Sequence, residues 1–446
     1  MELNLRKNTK LNGVQILSLG FIIVIVIGTI LLSLPVSSAT GESTNILDAA
    51  FTSTSAVCVT GLVTLNTSTH WSFFGKLIIM MLIEIGGLGF MSFATFFAIL
   101  LKKKITLRER LVMQEAMNTF NIQGLVKMVR YVFGFTFGVQ LFGTLLLSTH
   151  FVPQYGLSKG LFYSLFHSIS AFCNAGFDLF GTSLTTYYNN SVVILIISAI
   201  IIIGGLGFTV WIELYDYKGL KKLSIHSKLV LLVTVVLILG GTILMFIFEF
   251  RNPETIGGMG FKDKALNSFF ASVTTRTAGF NSISIDGMST AGKFLTIILM
   301  FIGGSPGSTA GGLKTATFGI IILTVISVIK GREDTEVFGR RFSKHLVYKS
   351  FTLCFIGMAL VITSTMVLSY TEAGTSFMDL LYEATSAFGT VGLTTGLTPN
   401  LSPVGKVLII FMMYFGRVGP LTVALAMTKK RNNNGFKYPE AKILIG

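Results

Sequence analysis

Charged residues are scarce in this chain. Only 12% of its 446 residues are charged, whereas 51% are hydrophobic and the mean hydropathy is +0.73. A soluble globular domain carries about 25% charged residues, so this composition excludes a soluble domain and predicts a membrane protein. Cysteine is also rare. The three thiols, Cys58, Cys173 and Cys354, are too few and too deep in apolar sequence for a disulfide framework or a zinc site.

Histidine is too sparse and too scattered to support an enzyme. The five histidines include no His-x-x-x-His pair, and none lies near Ser305 and Ser308, the two serines most like nucleophiles. The segment GSTAGGLKT resembles a phosphate-binding loop, but Leu313 separates Gly312 from Lys314 and the context is an apolar helix rather than a strand. The sequence therefore predicts neither an enzyme nor a nucleotide site.

Basic residues are concentrated in a few places. Twenty-five of the 35 lysines and arginines lie in five short segments, at 1–13, 102–130, 218–228, 330–349 and 429–446. The apolar runs leave and return between these segments, which is typical of a multi-pass protein of the cell membrane with both termini cytoplasmic. We therefore attribute the net charge of +15 to this pattern and expect no nucleic-acid partner. The first apolar run, 13–36, is too long for a signal peptide and is interpreted as a retained helix.

A short motif occurs four times along the chain. Its copies are SAVCVTGL (55–62), SAFCNAGF (170–177), VTTRTAGF (273–280) and SAFGTVGL (386–393), and an aromatic residue lies ten positions before the glycine of each. A second glycine site follows 24 to 28 residues later, at Gly86, Gly204, Gly303 and Gly416. Gly-Lys pairs at 75–76, 292–293 and 405–406 place a lysine ten residues before three of these sites. Three marks at nearly constant offsets indicate four structural repeats.

Each repeat reads as a long apolar helix, a segment too short to span a bilayer, and a second long helix. The expected fold is an all-α membrane protein with four helix–re-entrant pore helix–helix units, eight spans in total, around one central pore. The first helices are predicted near 14–36, 124–148, 228–250 and 347–370, and the second near 72–101, 191–214, 290–330 and 403–428. The predicted boundaries are 1–13 for a cytoplasmic N-terminus, 14–110, 111–222, 223–343 and 344–428 for the repeats, and 429–446 for a cytoplasmic C-terminus.

The repeated glycine suits a cation filter. A short helix that stops within the membrane points its partly negative C-terminal end at whatever lies beyond, and carbonyls of the extended residues after it can replace the hydration shell of an alkali cation. Glycine permits the backbone angles that this requires. The alternative is that the glycines only allow close helix packing in a structural or receptor protein. We call the four segments the glycine motifs: Cys58, Val59, Thr60 and Gly61; Cys173, Asn174, Ala175 and Gly176; Arg276, Thr277, Ala278 and Gly279; and Gly389, Thr390, Val391 and Gly392.

One arginine and four acidic residues lie in or near the glycine motifs. Arg276 departs most from a cation filter, and we expect it to point away behind its motif and to brace the third short helix. Four acidic residues at the predicted outer side allow two readings. They either raise the local cation concentration or complement the dipoles of the short helices at their N-termini. These residues are Asp48, Asp263, Asp379 and Glu383.

The order and spacing of these features resemble the Trk/Ktr/HKT superfamily of potassium transporters, and most of all the membrane subunit of bacterial Ktr systems. GTVG at 389–392 comes closest to a potassium-channel filter, while CVTG, CNAG and RTAG are degenerate. The resemblance implies potassium as substrate, since all four motifs keep their glycine, and leaves sodium stimulation open. It also implies a homodimer regulated by a cytosolic ring of KtrA-type subunits that bind ATP or ADP, and no covalent cofactor. Potassium would be held by the backbone carbonyls of Thr60, Gly61, Ala175, Gly176, Ala278, Gly279, Val391 and Gly392.

The second helix of the third repeat contains GGSPGSTAGG, which predicts a break near the middle of the membrane. Irregular backbone is tolerated at that depth only where it is buried or lines a water-filled cavity. The resembling family has an intramembrane gating loop at this place. Arg417, near the centre of the last span, is expected to latch this loop by donating to its carbonyls. The gate, which we call the glycine-rich loop, is assigned to Gly303, Gly304, Ser305, Pro306, Gly307, Ser308, Thr309, Ala310, Gly311 and Gly312, with Lys314 beneath it.

Overall fold

The computed structural model describes most of the chain, namely residues 13–101, 107–116, 124–215, 223–419 and 422–423. The predicted cytoplasmic C-terminus, and all of the predicted N-terminus except Gly13, lie outside the described residues. Within the described ranges the chain is largely helical. Its sheet there is one antiparallel hairpin, formed by β1 (Glu336–Val337) and β2 (Arg340–Arg341).

Each predicted repeat begins with a long apolar helix. These helices are α1 (Gly13–Ser33), α7 (Leu125–Tyr155), α11 (Ile225–Glu249) and α15 (Lys344–Thr371). They contain 21 to 31 residues, which corresponds to about 32–47 Å and exceeds the roughly 30 Å thickness of bilayer hydrocarbon. Large apolar side chains such as Ile30, Ile243 and Phe355 are exposed on them, as expected for surfaces that face lipid.

The segment after each long helix forms a helix too short to cross a membrane. The four short helices are α2 (Ile46–Cys58), α8 (Leu157–Phe172), α12 (Phe261–Thr274) and α16 (Phe377–Gly389). They contain 13 to 16 residues, or about 20–24 Å. Asn45 starts α2 by accepting a hydrogen bond from the N–H of Leu47 at 2.8 Å. The C-terminal halves are buried, so the short helices form the centre of the molecule.

The second helices differ from the prediction of continuous spans. They are α4 (Phe73–Leu88) with α5 (Phe90–Leu100), α9 (Ser191–Gly205) with α10 (Phe208–Tyr215), α13 (Thr290–Phe301) with α14 (Thr315–Ile329), and α17 (Pro403–Val418). The pair α9 and α10 is bent by 97°. Gly89, Gly207 and Gly419 have φ angles of 81°, 90° and 92°, and a positive φ, which glycine tolerates, interrupts an α-helix. Only the third break was predicted, because it alone is marked by a long run of small residues.

Helix length alone does not reproduce the predicted eight spans. Four helices in the described ranges are long and apolar enough to cross a membrane, or five when α9 and α10 count as one span. The glycine breaks account for the difference, since they divide the second helices into shorter pieces. The remaining helical element between repeats is α6 (Leu107–Ala116), whereas α3 (Thr67–His70) and single 3-10 turns at Pro35–Ser37, Thr185–Tyr187 and Thr398–Asn400 connect helices within a repeat.

The repeats pack in a closed order. Every long helix packs against the short helix of its own repeat. Each second helix packs against the short helix of the next repeat, so that α4 contacts α8, α9 contacts α12, and α13 contacts α16. The contact of α17 with α2 then joins the last repeat to the first. This order brings the C-terminal ends of the short helices together.

Candidate functional site

The glycine motifs begin where the four short helices end. In each motif the second residue has a left-handed backbone, with φ of 57° at Val59, 58° at Asn174, 70° at Thr277 and 50° at Thr390. Residues other than glycine adopt this conformation at a cost of about 1–3 kcal/mol, and they cluster at functional sites. The glycine that ends each motif also has a positive φ, between 69° and 94°. The four motifs therefore share one unusual backbone course.

Hydroxyl groups of the short helices hold this backbone in place. The N–H of Gly61 donates to Oγ of Ser55 at 3.0 Å, and the N–H of Gly392 donates to Oγ of Ser386 at 3.1 Å. In the second and third motifs a hydroxyl instead donates to the carbonyl of the residue after the glycine. These pairs are Ser170 with Phe177 at 2.8 Å and Thr274 with Phe280 at 2.5 Å.

The four motifs together form one narrow ring of backbone atoms. A Cβ atom placed on the glycine of any motif would come closer than 3.0 Å to the carbonyl oxygen of the third residue of another motif. No side chain fits there, so backbone oxygens of all four motifs lie around one constriction. Such a ring offers oxygen ligands to a dehydrated cation. The order is closed: Gly61 meets Ala175, Gly176 meets Ala278, Gly279 meets Val391, and Gly392 meets Thr60.

Asn174 links the second motif to the third. Its Nδ2 donates to the backbone carbonyl of Arg276 at 3.2 Å. The Arg276 side chain is buried, and its Nη1 has no hydrogen-bond partner among the described residues. Arg276 is thus buried, and its expected brace of the third short helix stays a prediction.

The glycine-rich loop connects α13 to α14 and packs beneath the motifs. Its two ends pair with each other, since the N–H of Gly303 donates to the carbonyl of Leu313 at 2.8 Å. On one side it lies against the fourth motif, because a Cβ on Gly311 would collide with the side chain of Thr390. The absence of a side chain at Gly311 permits this close approach.

The other side of the loop fills the break between α9 and α10. The N–H of Ser305 donates to the carbonyl of Gly205 at 3.0 Å, and the N–H of Phe208 donates to the carbonyl of Gly307 at 2.9 Å. Oγ1 of Thr309 donates to the carbonyl of Gly204 at 3.1 Å. Backbone groups that the helix break leaves free are thus satisfied by the loop.

Arg417 contacts the glycine-rich loop, as the sequence suggested, and it also contacts the first repeat. Its Nη1 donates to the carbonyl of Thr309. Its Nη2 donates to the carbonyls of Gly86 and Gly87, the latter at 2.9 Å. One guanidinium thus joins α17, the loop and the C-terminal end of α4. The contact with α4 was not anticipated.

A cavity of about 400 Å³ lies beneath the loop. Its lining includes Arg417, Lys314, Lys349 and residues of the loop, and the described part of the lining contains no aspartate or glutamate. Nζ of Lys314 donates to the carbonyl of Ala310, which ties this lysine to the loop. The space therefore has a positive lining directly below the constriction.

Two lysines of the Gly-Lys pairs join neighbouring repeats by ion pairs. Lys293 at the start of α13 pairs with Asp379 at 3.2 Å, and Lys406 at the start of α17 pairs with Asp48 at 2.8 Å. Both aspartates lie in the first turn of a short helix, where a negative charge also complements the helix dipole. Their charges are therefore engaged in packing. Lys76, the third such lysine, instead donates to a backbone carbonyl at 2.7 Å.

Glu383 and Asp178, two further acidic residues near the motifs, accept hydrogen bonds. Glu383 is buried within α16 and accepts from Oγ1 of Thr398 at 2.8 Å, so it does not line the outer surface as expected. Asp263 lies in the first turn of α12. Asp178, just after the second motif, accepts from the N–H of Gly181 at 2.8 Å. Burial raises the pKa of Asp178 from its ordinary value, while hydrogen bonds from backbone N–H groups lower it.

Sequence reasoning missed Glu84, a buried acidic residue of α4. Its Oε2 accepts from Nε2 of Gln140 at 2.8 Å and from Sγ of Cys173 at 3.3 Å. The signal was available in the sequence, because a carboxyl group inside an otherwise apolar helix is costly and marks a functional candidate. Its partners could not be read from the sequence, since they lie in the next repeat.

The sequence is similar to known transport proteins over nearly its full length. Residues 5–437 match the TrkH family, described as cation transport protein. The potassium/sodium uptake protein NtpJ of Enterococcus hirae is 47% identical over 446 residues, covering 99% of both chains. The Ktr system potassium uptake protein B of Bacillus subtilis is 42% identical, covering 97% of this chain and 96% of the relative. The solved structure of the potassium transporter TrkH from Vibrio parahaemolyticus aligns with a TM-score of 0.72 at 17% identity, covering 95% of this chain and 86% of that one, which shows a common fold.

Proposed function

Because the chain belongs to the TrkH family of cation transport proteins, we propose that it takes up potassium across the cell membrane through a channel-like pore. The pore lies on the axis of four helix–re-entrant–helix units, and the glycine motifs form its filter. The relatives are named as cation transporters, so the activity is transport and not catalysis.

The closed ring of glycine motifs is the observation that carries this proposal. At the glycine of each motif, a Cβ would collide with a backbone carbonyl of another motif; these glycines are Gly61, Gly176, Gly279 and Gly392. A cation at the centre can exchange its hydration shell for backbone oxygens, and the C-terminal ends of the four short helices add negative partial charge. Helix packing alone would not require the strained second residue that all four motifs share.

Potassium is the proposed substrate. Two relatives over 40% identical are named as potassium uptake proteins, one of them as a potassium/sodium uptake protein. The ligands in this proposal are the carbonyls of the third and fourth residues of each motif, eight in all. Sodium enters the proposal as a stimulant, and uptake at fixed potassium with added sodium measures that effect.

The glycine-rich loop is the proposed gate. The loop lies below the filter. Lys314 and Arg417, which line the cavity beneath the loop, place positive charge in the path of a cation. The loop's five glycines and two serines give it little bulk, so displacement of the loop would free the path. In the structure the loop lies against Thr390 and Gly205. In this proposal, that position of the loop closes the path.

Regulation is proposed to come from a cytosolic partner. Three relatives are named as proteins of Ktr systems, and we propose a homodimer beneath which a KtrA-type ring binds ATP or ADP. The proposed docking surface consists of three basic segments, 102–110, 218–228 and 330–344, and the last of them contains the hairpin of β1 and β2, with Arg340 and Lys344 exposed. The first two segments lie partly outside the described residues, and the tail after Lys429, which we propose for dimer contacts, lies wholly outside them.

Rubidium uptake tests the proposed function. The chain is expressed in cells that lack their own potassium transporters, alone and together with a KtrA-type subunit, and its membrane abundance is measured. We expect uptake that potassium inhibits more strongly than sodium does. Absence of uptake at verified abundance, with and without the partner, would favour a structural or receptor role.

A further inference from the structure

The carboxyl group of Glu84 lies against the inner end of the second glycine motif. Glu84 is in α4 of the first repeat, Gln140 in α7 of the second, and Cys173 is the first residue of the motif. Oε2 of Glu84 accepts from both partners, at 2.8 Å from Nε2 of Gln140 and 3.3 Å from Sγ of Cys173. One carboxyl group therefore connects three elements at the start of a filter segment.

The surroundings leave Cys173 little freedom. A Cβ on Gly87 would lie 2.7 Å from Sγ of Cys173, so α4 closes over the thiol. Gln140 is fixed in turn, because its backbone carbonyl accepts from Oγ of Ser168 at 2.7 Å. Both partners of Glu84 are thus held by packing, and the carboxyl group completes the contact between the two repeats.

This arrangement is confined to one motif. Among the described residues, the first residues of the other motifs, Cys58, Arg276 and Gly389, have no hydrogen bond to an acidic side chain. Glu84 is 8% exposed, and its Oε1 has no partner among the described residues. A buried carboxyl group with an unpaired oxygen lowers stability, so packing does not explain why an acidic side chain stands there.

We propose that Glu84 is a positioning residue for ion selectivity, and this inference rests on the proposed function. By accepting the hydrogen bond of the Cys173 thiol, it fixes the residue from which the chain turns into the left-handed Asn174. The carbonyl of Ala175 follows directly and lies against Gly61 in the ring. Loss of the acceptor lets this part of the ring change its width, which alters discrimination between potassium and the smaller sodium ion.

The test compares variants in rubidium uptake, with inhibition by potassium and by sodium measured separately. Glu84→Ala and Cys173→Ala should each lower the potassium-to-sodium affinity ratio by up to about tenfold, the scale of one ordinary hydrogen bond. The double variant should be no worse than either single variant, because both changes remove the same contact. Glu84→Gln keeps an oxygen acceptor and should retain most of the wild-type ratio.

Ser364→Ala is the matched control. Ser364 is buried and lies 2.9 Å from Sδ of Met412, in a contact between α15 and α17 that does not involve a glycine motif. Ser364→Ala should lower the melting temperature in detergent without changing the potassium-to-sodium affinity ratio. If the Glu84 and Cys173 variants behave like Ser364→Ala, Glu84 is only structural and the inference is wrong. If Glu84→Ala does not insert, Cys173→Ala alone decides. A wild-type protein without potassium preference would instead contradict the proposed function.

Discussion

Replacement of Arg417 by glutamine should release the glycine-rich loop. The guanidinium makes one hydrogen bond to the loop, at Thr309, and two to the end of α4. A hydrogen bond to a charged group contributes about 1.5–3 kcal/mol. We take about 2 kcal/mol for the bond to the loop, which changes the ratio of open to closed states about 30-fold. Loss of this bond favours the open state, and removal of the positive charge from the path should also favour cation flux.

The assay is the maximum rate of rubidium uptake at equal membrane abundance, with and without the cytosolic partner. Arg417→Gln should raise the rate and weaken control by nucleotide. Arg417→Lys keeps the charge but not the forked geometry and should give an intermediate rate. Arg251→Gln is the control for loss of one positive charge, since Arg251 is exposed just after α11, outside the loop and the proposed docking surface. A wild-type rate and wild-type nucleotide response in Arg417→Gln would refute the latch.

Further predictions concern the filter, the loop, the packing and the partner. Gly61→Ser should reduce the preference for potassium over sodium, because a Cβ there collides with a carbonyl of the second motif; an unchanged ion ratio would count against the filter. Deletion of 304–311 should raise the maximum rate with little change in potassium affinity, whereas loss of transport in an inserted protein would make the loop a scaffold. Lys406→Gln and Asp48→Asn should each lower the melting temperature, and the double variant should show less than additive loss; strict additivity would mean that the pair contributes nothing. Co-purification with a KtrA-type subunit should weaken as salt rises, and salt-insensitive association would indicate an apolar interface.

The repeats could be predicted because each recurring sequence feature has a local physical cause. The glycine of each motif needs a positive φ, as at Gly61 and Gly279, and few other residues tolerate it. The short helices are visible as segments that are too short to span between two long apolar runs. The second glycine sites are required for close packing: a Cβ on Gly86 or Gly204 would collide with the carbonyl at the end of a short helix. Constraints of this kind recur at fixed offsets and can be read in one sequence.

The remaining features depend on contacts between repeats. Arg417 binds the carbonyl of Gly86, which is 331 residues away in sequence, and nothing near either residue marks the pairing. Glu84 and Cys173 are 89 residues apart. The break at Gly207 could not be separated from ordinary helical glycines, because its free backbone groups are satisfied by the glycine-rich loop of the next repeat. Such features follow from ring closure, which no local pattern encodes.

We propose above all that the four glycine motifs form one cation-binding ring. Anomalous diffraction from crystals of the protein grown with rubidium or thallium in place of potassium tests it most directly. We expect a peak on the axis, within coordination distance of the carbonyls of Thr60, Ala175, Ala278 and Val391. Crystals that show bound ions only away from this axis, or a ring whose carbonyls are too far apart to share one ion, would contradict it.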